Sequence, residues 1–319
     1  MVKFEPSVRL INGEMMPLIG LGTWQSRPGE VGSAVEYALD VGYRHIDTAH
    51  LYGNEEEIGA AIRKKINEGV IKREDLFVTT KLWCTSHRPE RVLEALNLSL
   101  KKLQLAYVDL YLIHGPVGFQ YIDENTMFPM DNNGKFKLDQ VDHALTWKEL
   151  EKAVDQGLAK AIGLSNFNHK QIQHILDTCR IKPANLQVEC NAYLNQGPLY
   201  DFCTKNQITF TAYGPLGSPG RLDIRSGDPV LLEDPLVLEI AKRHNKTPAQ
   251  ILNRYLIERG RATIPKSTNR ERIKENFAIL DFVIPEADLL QLDGLNRDLR
   301  LFRFDFIKEN PAYPFHEPF

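Results

Sequence analysis

Short apolar runs alternate with longer amphipathic stretches along nearly the whole chain. The run Val8-Arg9-Leu10-Ile11, the pair Asn12-Gly13 and the run Met16-Pro17-Leu18-Ile19 predict a strand, a tight turn and a second strand. Asn-Gly accepts the positive φ that two-residue hairpin turns demand. Further runs predict eight strands, at 18–22, 44–47, 76–81, 108–114, 159–165, 184–189, 208–213 and 262–264. Each is short and mostly apolar on both faces, as strands of a buried parallel sheet are. Between them, helical spacing of apolar positions predicts helices at 30–41, 54–68, 89–103, 146–156, 169–178, 199–205, 248–258 and 270–280. Asn166 or Asn168 caps the fifth of these, and Thr247-Pro248 gives the seventh a cap and an N1 proline.

Eight strand–helix units with no composition break predict an α/β fold. The expected architecture is a single (β/α)8 TIM barrel domain spanning 1–319, with an N-terminal hairpin and a C-terminal loop. The irregular stretches 115–143 and 214–235 follow strands, so they belong on the C-terminal face. From Leu295 to Phe319 the tail has no repeat pattern but carries Phe302, Phe304, Phe306, Tyr313, Phe315 and Phe319. Such a tail either frames a pocket or packs on the barrel wall.

Composition narrows the class. Of 319 residues, 43% are apolar and 25% charged, with a formal net charge of −3. No basic run offers a nucleic-acid face, and no apolar run is long enough to span a membrane. The four cysteines form no Cys-x-x-Cys pair, and the nine histidines show no zinc spacing. Four thiols and a charged start, Met1 to Pro6, with no apolar leader predict a cytoplasmic protein. Nothing suggests an exposed apolar interface, so a monomer is expected.

In a barrel, polar residues at the C-terminal strand ends read as catalytic. The second strand ends in Asp47, with Tyr52 a few residues on; the third ends in Lys81 and the fourth in His114. Singly, these are a helix cap, a snorkelling lysine and a core histidine. On successive strands around one rim they form a set. Reducing a carbonyl requires a hydride to carbon and a proton to oxygen. Tyr52 is the expected proton donor, with Lys81 lowering its pKa from about 10. Asp47 would hold Lys81 charged, and a neutral His114 would donate to the carbonyl oxygen.

Several motifs carry a resemblance. Gly20-Leu21-Gly22-Thr23-Trp24, His45-Ile46-Asp47-Thr48-Ala49, Leu51-Tyr52-Gly53-Asn54-Glu55, Thr80-Lys81-Leu82-Trp83, Leu112-Ile113-His114, Gly163-Leu164-Ser165-Asn166-Phe167, Ile264-Pro265-Lys266-Ser267 and Tyr313-Pro314-Phe315-His316-Glu317 together resemble the aldo-keto reductase superfamily, closest in style to aldose and aldehyde reductases. The resemblance runs essentially end to end. It implies reduction of carbonyls by NADPH on a TIM barrel, with Asp47, Tyr52, Lys81 and His114 as the catalytic tetrad. It implies a cofactor site of Gly22, Thr23, Trp24 and Asp47. Ser165, Asn166 and Gln187 would take the nicotinamide carboxamide and Tyr213 would stack on its ring. Pro215, Leu216, Gly217 and Ser218 would fold over the pyrophosphate. Lys266, Ser267, Thr268, Arg272, Glu275 and Asn276 would take the adenosine end. Lys266 and Arg272, beside a helix start, independently suit a phosphate monoester and so favour NADPH/NADP+. The alternative within the same superfamily is an NADPH-binding regulatory subunit without enzymatic activity.

For the small carbonyl substrate, the wall is expected from Trp24, Tyr52, Trp83, His114, Phe119 and Phe302. The chain departs from the aldose-reductase pattern at Gly115, which replaces a tryptophan, at Leu299 and Phe302, which replace a tryptophan and a cysteine, and at Gly214, where serine is common. The lost indole predicts a wide apolar pocket for bulky ketones such as steroids. Insect 3-dehydroecdysone reductases are similar in this respect.

Overall fold

The structure is a computed structural model that describes residues 6–221, 224 and 227–317. The first residues of the expected leaderless start, as well as Phe319, lie outside the described residues. Strands β1 (Ser7–Arg9) and β2 (Met15–Pro17) form the expected antiparallel hairpin, with Val8 opposite Met16.

Four barrel strands follow: β3 (Leu21–Gly22), β4 (His45–Asp47), β5 (Phe77–Leu82) and β6 (Val108–Ile113). A two-stranded flap, β7 (Gly118–Phe119) with β8 (Leu138–Asp139), sits in the long segment after β6. The barrel resumes with β9 (Ala159–Ser165), β10 (Asn185–Glu189), β11 (Thr209–Tyr213) and β12 (Ala262–Thr263). The eight strands pair in parallel in the order β3-β4-β5-β6-β9-β10-β11-β12. Parallel bridges from Ile19 to Thr263 and from Gly22 to Lys266 join the last strand to the first. The sheet thus closes into the (β/α)8 barrel expected from the pattern.

Closure explains the paired glycines. A Cβ on Gly22 would lie 2.6 Å from the Ile264 carbonyl oxygen, and one on Gly20 would lie 2.8 Å from the His45 ring. Only bare backbone lets these strands meet.

The helices are α1 (Val31–Val41), α2 (Glu55–Asn67), α3 (Pro89–Leu103), α4 (His143–Asp155), α5 (His169–Thr178), α6 (Gly197–Lys205), α7 (Pro235–His244), α8 (Pro248–Glu258), α9 (Arg270–Phe277) and α10 (Glu286–Asp293). Eight match predicted segments. Asn168, not Asn166, caps α5, and Thr247 caps α8, each in a reciprocal box with a glutamine at the third helical position. The pattern missed α7 and α10. Helix α7 starts on an Asp234-Pro235 cap at the end of a stretch read as irregular. Only Asp288, Leu289 and Leu292 of α10 are buried, and Leu290 is exposed, so its apolar periodicity is weak.

Three buried apolar clusters occur among the described residues, the smallest around Trp83, Cys84, Val117 and Phe119 beside the flap, and the other two hold the barrel. The larger lies between the strands and the surrounding helices and includes Trp147, Tyr43 and Phe167. A smaller one fills the N-terminal end of the barrel, where Leu10 and Met16 of the hairpin region meet Phe77, Leu110, Leu112 and Ala262. The hairpin plugs that end, leaving the opposite end as the place for a cavity.

Candidate active site

The strand ends deliver the polar set to one place. Asp47 is the last residue of β4, Lys81 lies near the end of β5, and His114 follows β6 directly. Tyr52 closes the single 3-10 turn His50–Tyr52. Lys81 is fully buried, and its Nζ donates to Asp47 Oδ1 at 2.6 Å, to the Thr48 carbonyl at 2.9 Å and to Tyr52 Oη at 3.3 Å. An ammonium has three N–H groups, and these contacts use all three. Gln187 Nε2, from β10 across the barrel, donates to Asp47 Oδ2 at 2.7 Å. Both carboxylate oxygens are thereby satisfied.

His114 is held chiefly by ring packing, edge-on to Tyr52 at 5.7 Å and to Trp83 at 5.2 Å between centroids. Its Nδ1 is buried with no partner among the described residues. Burial and the Lys81 charge push its pKa well below the ordinary histidine value, so the ring is neutral, as expected. Burial also lowers the Lys81 pKa, opposed by Asp47.

One expectation needs correction. Lys81 was expected to draw the Tyr52 pKa down toward neutrality. Instead, burial and the nearby Asp47 charge push it well above 10. Burial is the larger cause, and Lys81, paired with Asp47 at 2.6 Å, does not offset it. Tyr52 is therefore held as a phenol, with its proton in place.

Asp47, Tyr52, His114 and Gln187 line a cavity of about 1160 Å³. Tyr213, Lys266 and, from α9, Arg272 and Asn276 line the same cavity. Its wall includes the residues expected at a cofactor: Gly22, Thr23, Trp24, Asp47, Ser165, Asn166, Gln187, Tyr213, Pro215, Leu216, Ser218, Lys266, Ser267, Thr268, Arg272, Glu275 and Asn276. Gly217 does not line it; a Cβ there would instead meet the Leu231 side chain. Asn166 Nδ2 donates to the His114 carbonyl at 2.9 Å, and Tyr213 Oη donates to Asn166 Oδ1 at 2.8 Å. Lys266 Nζ donates to the Gln25 carbonyl at 3.2 Å.

Trp24, Tyr52, Trp83, His114, Phe119 and Phe302 all line the cavity. Leu299 does not; it packs against the barrel core, so only Phe302 of the two tail departures reshapes the wall. The tail does both things left open for it. Phe302, Phe304 and Phe306 face the cavity, while the Pro314 and Ala312 carbonyls accept from the Asn168 and Gln171 side chains at the start of α5 on the barrel's outside. Sequence reasoning missed Cys84, Phe128 and Arg221 as lining residues. All but Cys84 come from long segments without periodicity, so no spacing signal marked them. Among the described residues no cluster of His, Cys, Asp or Glu could hold a metal ion, and no helix is long and apolar enough to cross a membrane.

Known proteins place this geometry in a class of barrel oxidoreductases. The model of the Aldo/keto reductase family matches residues 18–297. Rat (Rattus norvegicus) Aldo-keto reductase family 1 member C15 is 47% identical over 324 residues, covering 100% of this chain and 99% of its own. Prostaglandin F synthase 1 of Bos taurus is 46% identical over 318 residues, covering 98% of each chain. The solved aldose reductase of Schistosoma japonicum superposes with a TM-score of 0.93 at 47% identity, over 98% of this chain and 100% of the other.

The chain belongs to the aldo-keto reductase family. It is an oxidoreductase, and the family's general reaction is reduction of carbonyls with a nicotinamide cofactor. Of the two readings left by the sequence, the enzyme is the one these relatives support.

Proposed function

We propose that this enzyme uses NADPH to reduce bulky apolar ketones and aldehydes to alcohols, with Tyr52 as proton donor. One observation carries the reading. Lys81 commits its three N–H groups to Asp47, Thr48 and Tyr52, so the Tyr52 oxygen accepts a bond there and its own proton is free to be given elsewhere. Bound in the cavity, NADPH would supply the hydride to the carbonyl carbon. Tyr52 would then protonate the oxygen, while neutral His114 donates a hydrogen bond to it and sets its direction. Asp47 holds Lys81, and Gln187 holds Asp47.

The residues present fit that cofactor. Tyr213, Ser165, Asn166, Pro215, Leu216 and Ser218 line the same cavity as Tyr52, and so do Lys266, Ser267, Thr268, Arg272, Glu275 and Asn276. Gln187 Nε2 is already engaged with Asp47, which leaves its carbonyl oxygen for a ligand amide. Lys266 precedes α9 and Arg272 lies in its first turn, and two cations at a helix start suit the phosphate that NADPH carries and NADH lacks.

Pocket size supports the bulky class. A Cβ on Gly115 would meet only Cys84 Sγ, at 3.8 Å. No backbone constraint demands glycine there, so the missing side chain is space in the cavity. A relative named for prostaglandin F accords with a large, mostly apolar substrate, and steroid ketones belong in the same test panel. The whole chain acts as one barrel domain, a monomer in the cytoplasm, where its four free cysteines would stay reduced.

The test is Tyr52→Phe. NADPH consumption with a generic aldehyde is expected to fall by at least about 10²-fold, the scale of a lost general acid, while NADPH still binds by fluorescence titration. A fully active Tyr52→Phe overturns the assignment.

A further inference from the structure

Glu189 ends β10 with its side chain wholly buried. It is not in the tetrad, and it does not line the cavity. Its carboxylate instead receives the C-terminal tail. The Leu301 amide donates to Oε1 at 2.9 Å and Oε2 at 3.1 Å, and the Phe302 amide donates to Oε2 at 2.9 Å. Burial raises its pKa, and these two amides oppose the shift.

The amides held this way belong to the residues that aim Phe302. Its ring lies edge-on to Trp24 and to Tyr213, each at 5.4 Å between centroids. Upstream, the Arg297 and Leu299 amides bond the Tyr193 carbonyl; downstream, Asn168 and Gln171 side chains bond the Pro314 and Ala312 carbonyls. Glu189 supplies the hold between those ends, where the tail crosses the cavity.

Gly214 lies in the same cluster. Its φ is +61°, which favours glycine, and a Cβ there would lie 3.1 Å from Ser218 Oγ, 3.4 Å from Phe302 Cε2 and 3.8 Å from Glu189 Cγ. Two departures from the aldose-reductase pattern, Gly214 and Phe302, are thus neighbours around one buried carboxylate. A buried charge costs more than an apolar group of the same shape unless it is well paired. Here its partners are the backbone amides of a wall residue, which is what a seat for that wall requires.

We propose that Glu189 is a positioning residue for substrate size: by fixing the Leu301 and Phe302 backbone it holds the Phe302 ring as a rigid apolar wall for bulky ketones. This rests on the carbonyl-reductase reading of the cavity. Glu189→Gln keeps the volume but removes the charge. With saturating NADPH, its KM for a steroid ketone is expected to rise at least fivefold, and its KM for 4-nitrobenzaldehyde less than twofold. Because Glu189 acts through Phe302, adding Glu189→Gln to Phe302→Ala should change the ketone KM no further. Equal changes for both substrates, or effects that multiply in the double variant, overturn the proposal.

If Glu189→Gln does not fold, Glu189→Asp, which keeps the charge but shortens its reach to the Leu301 and Phe302 amides, is read on the same two substrates. A selective rise for the ketone supports the seat, and equal changes overturn it. Amide exchange at Leu301 and Phe302 separates this idea from the reading beneath it. A wild type that turns over neither carbonyl overturns the reductase reading. The seat then stands if Glu189→Gln speeds exchange at those two amides, and falls if exchange is unchanged.

Discussion

Gly115 shows what one residue can decide. It follows His114 on the cavity wall, and a Cβ added there would have only Cys84 Sγ at contact distance. Gly115→Trp should therefore fill substrate space without straining the fold. Its expected effect is selective: kcat/KM for a steroid ketone falls at least about tenfold, and for a small aldehyde less than about threefold, the scale of a pocket gained or lost to one large side chain. Equal losses on both would contradict the wide-pocket reading.

Arg272 decides at the other end. It is exposed at the start of α9, so solvent would partly screen its pairing with the proposed phosphate. Arg272→Ala should weaken NADPH by about tenfold, consistent with one charge-assisted hydrogen bond, and leave NADH within about twofold. Titration of both cofactors checks this, and matched losses would remove the argument for a 2′-phosphate site.

Elements were legible to different degrees. Strands announced themselves because each is an apolar run bounded by polar residues, and observed limits differ from expected ones mainly at the ends. Capped helices were equally clear. Thr247 caps α8 and also donates to Glu275 Oε1 at 2.7 Å, at the edge of the cavity. Thr247→Ala should lose about 1–2 kcal/mol of stability, as cap removals do, visible as a lower urea midpoint with an unchanged slope. An unchanged midpoint would mean that neither bond matters.

The flap was not legible. Residues 115–143 were read as irregular, and they form β7 and β8, with Phe119, Phe128 and Phe136 clustered within 6.3 Å between ring centroids. Trp83 Nε1 donates to the Met127 carbonyl at 2.8 Å, pinning the flap over the pocket. Aromatic residues spaced without period carry no elemental signal. Only their meeting in space identifies the cluster.

At the scale of the molecule, burial of histidines couples stability to pH. Burial pushes the pKa values of His45, His114 and His143 below 6.5, and that of His87 down to about 3. Below 6.5 the unfolded chain takes up protons that the folded chain refuses. Stability is therefore fully present above 6.5 and is lost as pH falls. Each such histidine contributes a slope of about 1.4 kcal/mol per pH unit, for His87 down to about pH 3. Urea midpoints should fall steadily from pH 7 to pH 5; a flat or rising profile would contradict the buried neutral state.

By itself the sequence determined the barrel, the hairpin and the four residues Asp47, Tyr52, Lys81 and His114, because periodicity and strand-end chemistry are local properties of the chain. Tertiary structure decided how those residues behave. Tyr52 is buried beside Asp47, so it keeps its proton instead of being acidified by Lys81. Gln187 serves Asp47 from the far side of the barrel, and Glu189 seats a tail more than a hundred residues away in sequence. Such pairings depend on distances across the closed barrel, and spacing along the chain carries no record of them.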